Sequence, residues 1–259
     1  MRLLNLNISI KLDNNDNVVD FVKKQNADIC TFQEAMNGID NNCFEMFKSK
    51  NKLVEINDYP FNDFAPLFIA KGISKNGTIT RDFGGSAEQG SLVLSKYEIK
   101  EHYNQFYYNE YRYEYDATEF REKDWCRSIQ NVILNINGNE LQIINVHGIW
   151  NKDKKGDERT IQQSKFILKR VRHDIPCIVL GDFNLLPNTE SIKLINKKMS
   201  NLIDEYNIKT TRPTFNDGLD KGDLVCDYIF VNNKIKVNDF KVLDSNVSDH
   251  LPLLLDFDI

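Results

Sequence analysis

Two short clusters carry the residues most suited to chemistry: Gly181-Asp182-Phe183-Asn184, directly after the apolar run Ile175 to Leu180, and Ser248-Asp249-His250 near the C-terminus. A buried strand that ends in Gly-Asp-x-Asn puts both polar side chains on one side of the backbone, because strand side chains alternate with period two. That side can hold a water and a phosphate together. The second cluster sets a carboxylate beside an imidazole, as a divalent metal and a developing phosphorane charge would require. Taken alone, Gly-Asp-x-Asn is a weak signal, since Asp-Asn-Gly clusters usually mark turns. The two clusters together point to metal-assisted cleavage of a phosphoester.

Further polar residues stand at the ends of predicted strands: Asn7, Glu34, Arg127, His147 and Asp227. The elements that must position them read strand (Arg2 to Ile10), helix (Val18 to Gln25) and strand (Asp28 to Phe32, ending at Gln33-Glu34). Asn41 to Leu53 reads as a helix with Phe44, Phe47 and Met46 inward, and Ser91 to Ser95 as a short central strand. Asn137-Gly138 between Arg127 to Ile136 and Glu140 to Val146 is a hairpin signal. Asp157 can cap a helix from Glu158 to Arg172 with Ile161, Ile167, Leu168 and Val171 inward. Asn188 or Thr189 can cap another through Lys198, and strands recur at Leu224 to Val231, Val237 to Leu243 and Leu251 to Phe257. Tyr103 to Tyr115, with six tyrosines and Phe106, reads as an amphipathic loop or edge segment. Lys152 to Gly156 is a solvated loop whose closeness to His147 makes it a candidate substrate contact.

With 259 residues, 41% hydrophobic and 27% charged, the chain reads as one domain spanning 1–259. No linker rich in Pro, Gly or Ser and no repeat divides it. No apolar run approaches bilayer length. Strand alternation from Met1 onward, without the zones of a signal peptide, leads us to expect a cytoplasmic protein, and a monomer. Five scattered cysteines without a Cys-x-x-Cys pair argue against a disulfide framework or zinc site. A net charge of -5 argues against a broad sequence-independent grip on nucleic acid.

The series Leu-Asn-Ile (6–8), Gln-Glu (33–34), Val-His-Gly (146–148), Gly-Asp-Phe-Asn (181–184), Asp-Tyr-Ile-Phe-Val (227–231) and Ser-Asp-His (248–250) resembles the endonuclease/exonuclease/phosphatase superfamily, in the family's order and over nearly the whole chain. The resemblance implies an α/β fold: a four-layer sandwich of two mixed sheets packed face to face with helices outside. It implies Mg2+ (or Mn2+), with Glu34 the main ligand, Asn7 orienting the metal shell or the water, and Asp249 close by. Asp182 would be the base for the attacking water, and Asn184 would hold phosphate or water. His250 would stabilise phosphorane charge, with its ring held by Asp227. His147 would donate a proton to the leaving oxygen or hold a non-bridging one, and resembles the deoxyribonuclease and sphingomyelinase branches. Arg127 matches a phosphate clamp of some members, and Glu88 a supporter of His147. His102 and His173 have no motif company and read as surface groups. Trp150 either stacks on a base or packs in the core.

The expected activity is hydrolysis of a phosphodiester. Nucleases, inositol-phosphate or sphingomyelin-type phosphoesterases and, least favoured, an inactive binding module are the alternatives. The expected substrate is compact or a short single-stranded end, with long duplex disfavoured.

Overall fold

The structure of the protein, a computed structural model, describes residues 1–10, 15–75, 78–115, 126–213 and 224–259. In chain order the elements are β1 (Arg2–Asn7), α1 (Asn15–Gln25), β2 (Ile29–Gly38), α2 (Ser49–Leu53), β3 (Phe61–Lys75), β4 (Thr78–Ser95), β5 (Glu98–Tyr108), β6 (Arg112–Tyr115) and β7 (Arg127–Ile136). They continue with β8 (Asn139–His147), α3 (Glu158–Leu168), β9 (Cys177–Asp182), α4 (Glu190–Asn196), β10 (Ser200–Asn201), α5 (Leu202–Glu205), β11 (Asp227–Val231), β12 (Lys236–Val242) and β13 (Leu253–Asp258). Two mixed sheets form, in the orders β12-β13-β1-β2-β4-β3-β6 and β10-β11-β9-β8-β7-β5. The architecture is the four-layer sandwich implied by the motifs.

Strand alternation explains the layers. In the first sheet Leu4, Leu6, Cys30, Phe32, Leu92 and Leu94 face α1, where Val18 and Val22 meet them. Leu3, Ile29, Val93, Leu253 and Leu255 point the other way and join the core of the second sheet, which Ile167 of α3 and Ile192 and Ile195 of α4 also enter. The inner face is not wholly apolar. Gln33 Nε2 donates to Asn5 Oδ1 at 2.9 Å and across the sheets to Asn145 Oδ1 at 2.6 Å. Asn145 Nδ2 donates to Gln130 Oε1 at 3.0 Å and to the Phe32 carbonyl at 3.1 Å. This polar seam lies under the strand ends that carry the candidate site.

Several elements depart from the sequence pattern for local reasons. The expected helix over Asn41 to Leu53 is a single 3-10 turn (Glu45–Phe47) followed by the short α2. Side chains there serve the neighbouring strand instead: Ser49 Oγ accepts from Met36 N and Asn51 Oδ1 from Gly38 N, both at 2.9 Å. Phe47 is buried against Phe83, whereas Phe44 is 51% exposed. Helix α3 starts at the Asp157 capping box but stops at Leu168, because Gln142 captures the following backbone through the Arg170 carbonyl and the Arg172 amide, both at 2.8 Å. The cap of α4 is Thr189. Ser91 to Ser95 is the end of the long β4, and the tyrosine segment supplies edge strands β5 and β6. The hairpin turn has the left-handed φ of 52° at Asn137 and 95° at Gly138 that its dipeptide demands. All five cysteines are free and buried. Among the described residues no helix is long and apolar enough to cross a membrane.

Because Asn145 partners Gln33, Gln130 and a carbonyl in a buried interface, Asn145→Ala removes three hydrogen bonds at once. It should cost about 3 kcal/mol of unfolding free energy in urea titration. A loss below about 1 kcal/mol would show that the seam carries no stability.

Candidate active site

Backbone pairing brings the second sheet's polar residues together. His147 and Asp182 are register partners on parallel β8 and β9, and Asp227 is the antiparallel partner of Asp182 on β11. All three side chains therefore leave the same face. The close approach requires two glycines: a Cβ at Gly181 (φ 128°) would lie 2.0 Å from the Val146 carbonyl oxygen, and one at Gly148 would lie 2.3 Å from that of Phe183. Gly148 N donates instead to the Asp182 carbonyl at 2.7 Å.

Glu34 reaches the same place by an irregularity. In a regular strand Gln33 and Glu34 would point to opposite faces. Here β2 slips register between Phe32 and Ala35, and Glu34 adopts φ 59°. The strand does not end at Glu34, as its sequence suggested, but bulges there and runs on to Gly38. The kink turns the carboxylate inward: Oε2 accepts from Ile10 N at 3.0 Å and Oε1 from Asn7 Nδ2 at 3.3 Å. Asn184 likewise owes its position to a left-handed residue (φ 55°) beyond the end of β9, not to continued pleating. Its amide and side chain both donate to Asp182, at 2.8 and 3.2 Å.

Asp182 Oδ2 also accepts from Asn7 Nδ2 at 3.1 Å and lies 3.7 Å from His250 Nε2 and 4.0 Å from His147 Nε2. His250 Nδ1 meets both oxygens of Asp227 at 2.9 Å, while Thr211 Oγ1 donates to Asp227 Oδ2 at 2.7 Å. Burial raises the pKa of Asp182, and the Asp227 charge adds to it. Burial also works against charge on His250, but Asp227 and Asp182 outweigh it and raise its pKa well above the ordinary value. Asp227 in turn is held below the ordinary carboxylate range, its burial offset by His250 and the Thr211 hydroxyl. His147 behaves oppositely: burial, with the charge of Arg127 next, keeps it neutral. Its Nδ1 is buried without a hydrogen-bond partner among the described residues, and Nε2 faces Glu34 Oε1 at 3.6 Å.

Glu34, His147, Asp182, Asn184 and His250 line a pocket of about 310 Å3 that also includes Ser9, Tyr108, Arg127, Trp150, Lys154, Arg159, Arg212 and Asp249. Arg127 is 2% exposed and donates through Nε to the Gly148 carbonyl (2.7 Å) and through Nη1 to that of Cys126 (2.9 Å), so much of it holds backbone. Glu88 does not support His147; it pairs with Asn37 and Tyr111. His102 and His173 are exposed, as expected. Lys154, from the loop after His147, donates to Asn184 Oδ1 at 3.0 Å. Tyr108, Arg159, Arg212 and Gln163 were not singled out in the sequence. Gln163, buried on α3, accepts from Ile149 N (2.9 Å) and Tyr107 Oη (3.0 Å) and so fixes the segment after His147. Its place four residues before Ile167, on the buried side of α3, was the only signal for it. Trp150 is 39% exposed at the pocket and is not a core residue.

Two donor sets could serve a cation. Asp182, Cys226, Asp227 and His250 place ligand atoms within 4.8 Å of one another. That cluster is internally satisfied, however: Asp227 is taken by His250 and Thr211, and burial pushes the Cys226 thiol up to about 11, so it is no thiolate. Glu34 and Asp249 also accept protein hydrogen bonds, Glu34 from Ile10 N and Asn7 Nδ2 and Asp249 from Arg212 Nη2, but both are carboxylates that line the pocket. After burial, the largest influence raising the pKa of Glu34 is the Asp249 charge. Two oxygen donors that repel each other across one pocket, with the Asn7 amide beside them, fit a hard divalent cation.

The sequence model of the Endonuclease/Exonuclease/phosphatase family matches residues 4–250, and the chain belongs to that family, whose members are hydrolases acting on phosphoesters. None of the curated proteins matches it in sequence. Among solved structures it is similar to an endonuclease/exonuclease/phosphatase family protein from Leptotrichia buccalis (18% identity, 100% of each chain covered, TM-score 0.70). It is also similar to a mannosyl-6-phosphatase from Bacteroides thetaiotaomicron (14%, 100% of each chain, TM-score 0.65) and to a humanized D. rerio TDP2 (12%, 100% of this chain and 99% of that one, TM-score 0.67). At these identities the likeness is one of fold.

The Asp227–His250 pair gives a pH test on metal-free protein. A raised histidine pKa contributes stability fully below the unfolded value near 6.5 and loses it as pH rises through the folded value. Asp227→Asn should lower the His250 pKa, read from ring nitrogen shifts by NMR, and flatten stability on the alkaline side. An unchanged His250 titration would contradict the pairing.

Proposed function

We propose that the protein is a magnesium- or manganese-dependent phosphoesterase that hydrolyses a phosphodiester with water as the nucleophile. The observation that carries this reading is the meeting of Asp182 with two imidazoles and two amides at a pocket that Glu34 and Asp249 also line. Glu34, with Asn7 and Asp249, would hold the cation, which when bound draws charge from the phosphate and activates water. The remaining work falls to the chain's own groups. Asp182, its basicity raised by burial, takes the proton of the attacking water, and Asn184 and Asn7 fix the direction of its carboxylate. His250, protonated through its pairing with Asp227, donates to a phosphoryl oxygen as charge develops there. His147, being neutral, donates a hydrogen bond from Nε2 instead of delivering a proton as an acid.

The size of the substrate follows from charge and pocket. A pocket of about 310 Å3 on a protein of net charge -5 favours a compact phosphodiester or a short single-stranded end, and exposed Trp150 offers it an apolar face. We place the enzyme in the cytoplasm as a monomer of one catalytic domain.

Asp182→Asn keeps shape but removes the base, and should lower turnover on a phosphodiester at least about a hundredfold, with an unaltered melting curve. Near-normal turnover would overturn the assignment. With the same variant, binding to long duplex DNA at fixed magnesium should weaken with monovalent salt along a log–log slope of about 3 or less in magnitude. Tight binding at physiological salt with a steeper slope would instead make a duplex nuclease the better reading.

A further inference from the structure

We infer that Arg212 donates a hydrogen bond to a phosphoryl oxygen of the substrate, the role its sequence context suggested for Arg127. The inference rests on the phosphoesterase reading above. Arg127 is held by two backbone carbonyls. Arg212 also lines the pocket, with its side chain 15% exposed, and its Nη2 donates to Asp249 Oδ2 at 3.0 Å. Its Nε is buried and has no hydrogen-bond partner among the described residues. A guanidinium N–H left unpaired in a desolvated place costs free energy unless something else accepts from it. A phosphate drawn into the pocket becomes such an acceptor once the guanidinium turns to present Nε to it, and the planar fork of arginine suits it.

The position of Arg212 is built, not incidental. Thr211 Oγ1 donates to Asp227, Thr211 N donates to the Leu224 carbonyl at 2.9 Å, and its own carbonyl accepts from Leu251 N at 2.8 Å. Thr210 Oγ1 donates to the Arg212 carbonyl at 3.0 Å. The tripeptide Thr210-Thr211-Arg212 is thus bolted to the residues on both sides of His250, so the guanidinium stands on the frame that orients the imidazole. Both cations can then bear on the same phosphoryl group. Preorganised donors of this kind act most strongly on charge that develops during reaction.

The test separates phosphate contact from mere orientation of Asp249. Arg212→Lys keeps a cation near Asp249 but has no Nε; Arg212→Ala removes both. Each folded variant should lose turnover with little change in the divalent-metal concentration required, Arg212→Ala by about a hundredfold, and added guanidinium should restore part of the Arg212→Ala loss. Calorimetry with orthovanadate, which resembles the five-coordinate phosphorus, should show affinity falling at least about tenfold in Arg212→Lys without any turnover being needed. If saturating metal restores full activity, or if vanadate affinity equals that of the unmutated protein, Arg212 only positions Asp249 and the inference is wrong. Should the unmutated protein hydrolyse no phosphodiester yet lose vanadate affinity on substitution, the activity reading fails while the anion contact stands.

Discussion

The buried hydrogen bond from Asn7 Nδ2 to Asp182 Oδ2 joins the two sheets beneath the pocket, and the arrangement of the site depends on it. It is the top of the seam that runs through Asn5, Gln33, Asn145 and Gln130. Hydrophobic burial holds the sheets together but is indifferent to small sliding. A dry row of amides is not, because a shift of about 1 Å would leave several donors and acceptors unpaired. The seam therefore fixes how far Glu34 and Asn7 of one sheet stand from Asp182, His147 and Asp227 of the other.

Above the seam the site uses backbone that ordinary strands avoid. Ser9, Glu34 and Asn184 all have left-handed φ values, between 54° and 59°. Such conformations persist only where surrounding bonds determine them, and each here is tied to a site group: Ser9 N to Asn7, Ile10 N to Glu34, Asn184 N to Asp182. Gly181 and Gly148 permit the tight approach of β8 and β9 that sets His147 beside Asp182. Buried carboxylates and imidazoles then divide by environment. His250 is held charged by Asp227, whereas His147 is held neutral by burial, with the Arg127 charge adding to it.

Much of this was legible in the sequence because it rests on period-two alternation and on short motifs at strand ends. Strands such as Arg127–Ile136 and the caps Asp157 and Thr189 follow from local chemistry alone. What was not legible depends on contacts distant in sequence. The bulge that turns Glu34 inward leaves no periodic trace, and the break of the Asn41 to Leu53 pattern arises because Ser49 and Asn51 bond to β2. Arg127 stands beside the motifs and lines the pocket, and two of its nitrogens, Nε and Nη1, are bound to backbone carbonyls, which the sequence did not signal. Arg212 and Gln163 carried no such signal, since their places are set by pairing with Asp249 and with the Ile149 amide.

The central claim, that a hard cation sits on the Glu34 side of Asp182, is tested most directly by anomalous diffraction from crystals grown with manganese. The account predicts one strong peak within about 2.5 Å of a Glu34 carboxylate oxygen, lost in crystals of Glu34→Gln. A peak among Asp182, Cys226, Asp227 and His250 instead, or one that survives Glu34→Gln unchanged, would contradict it.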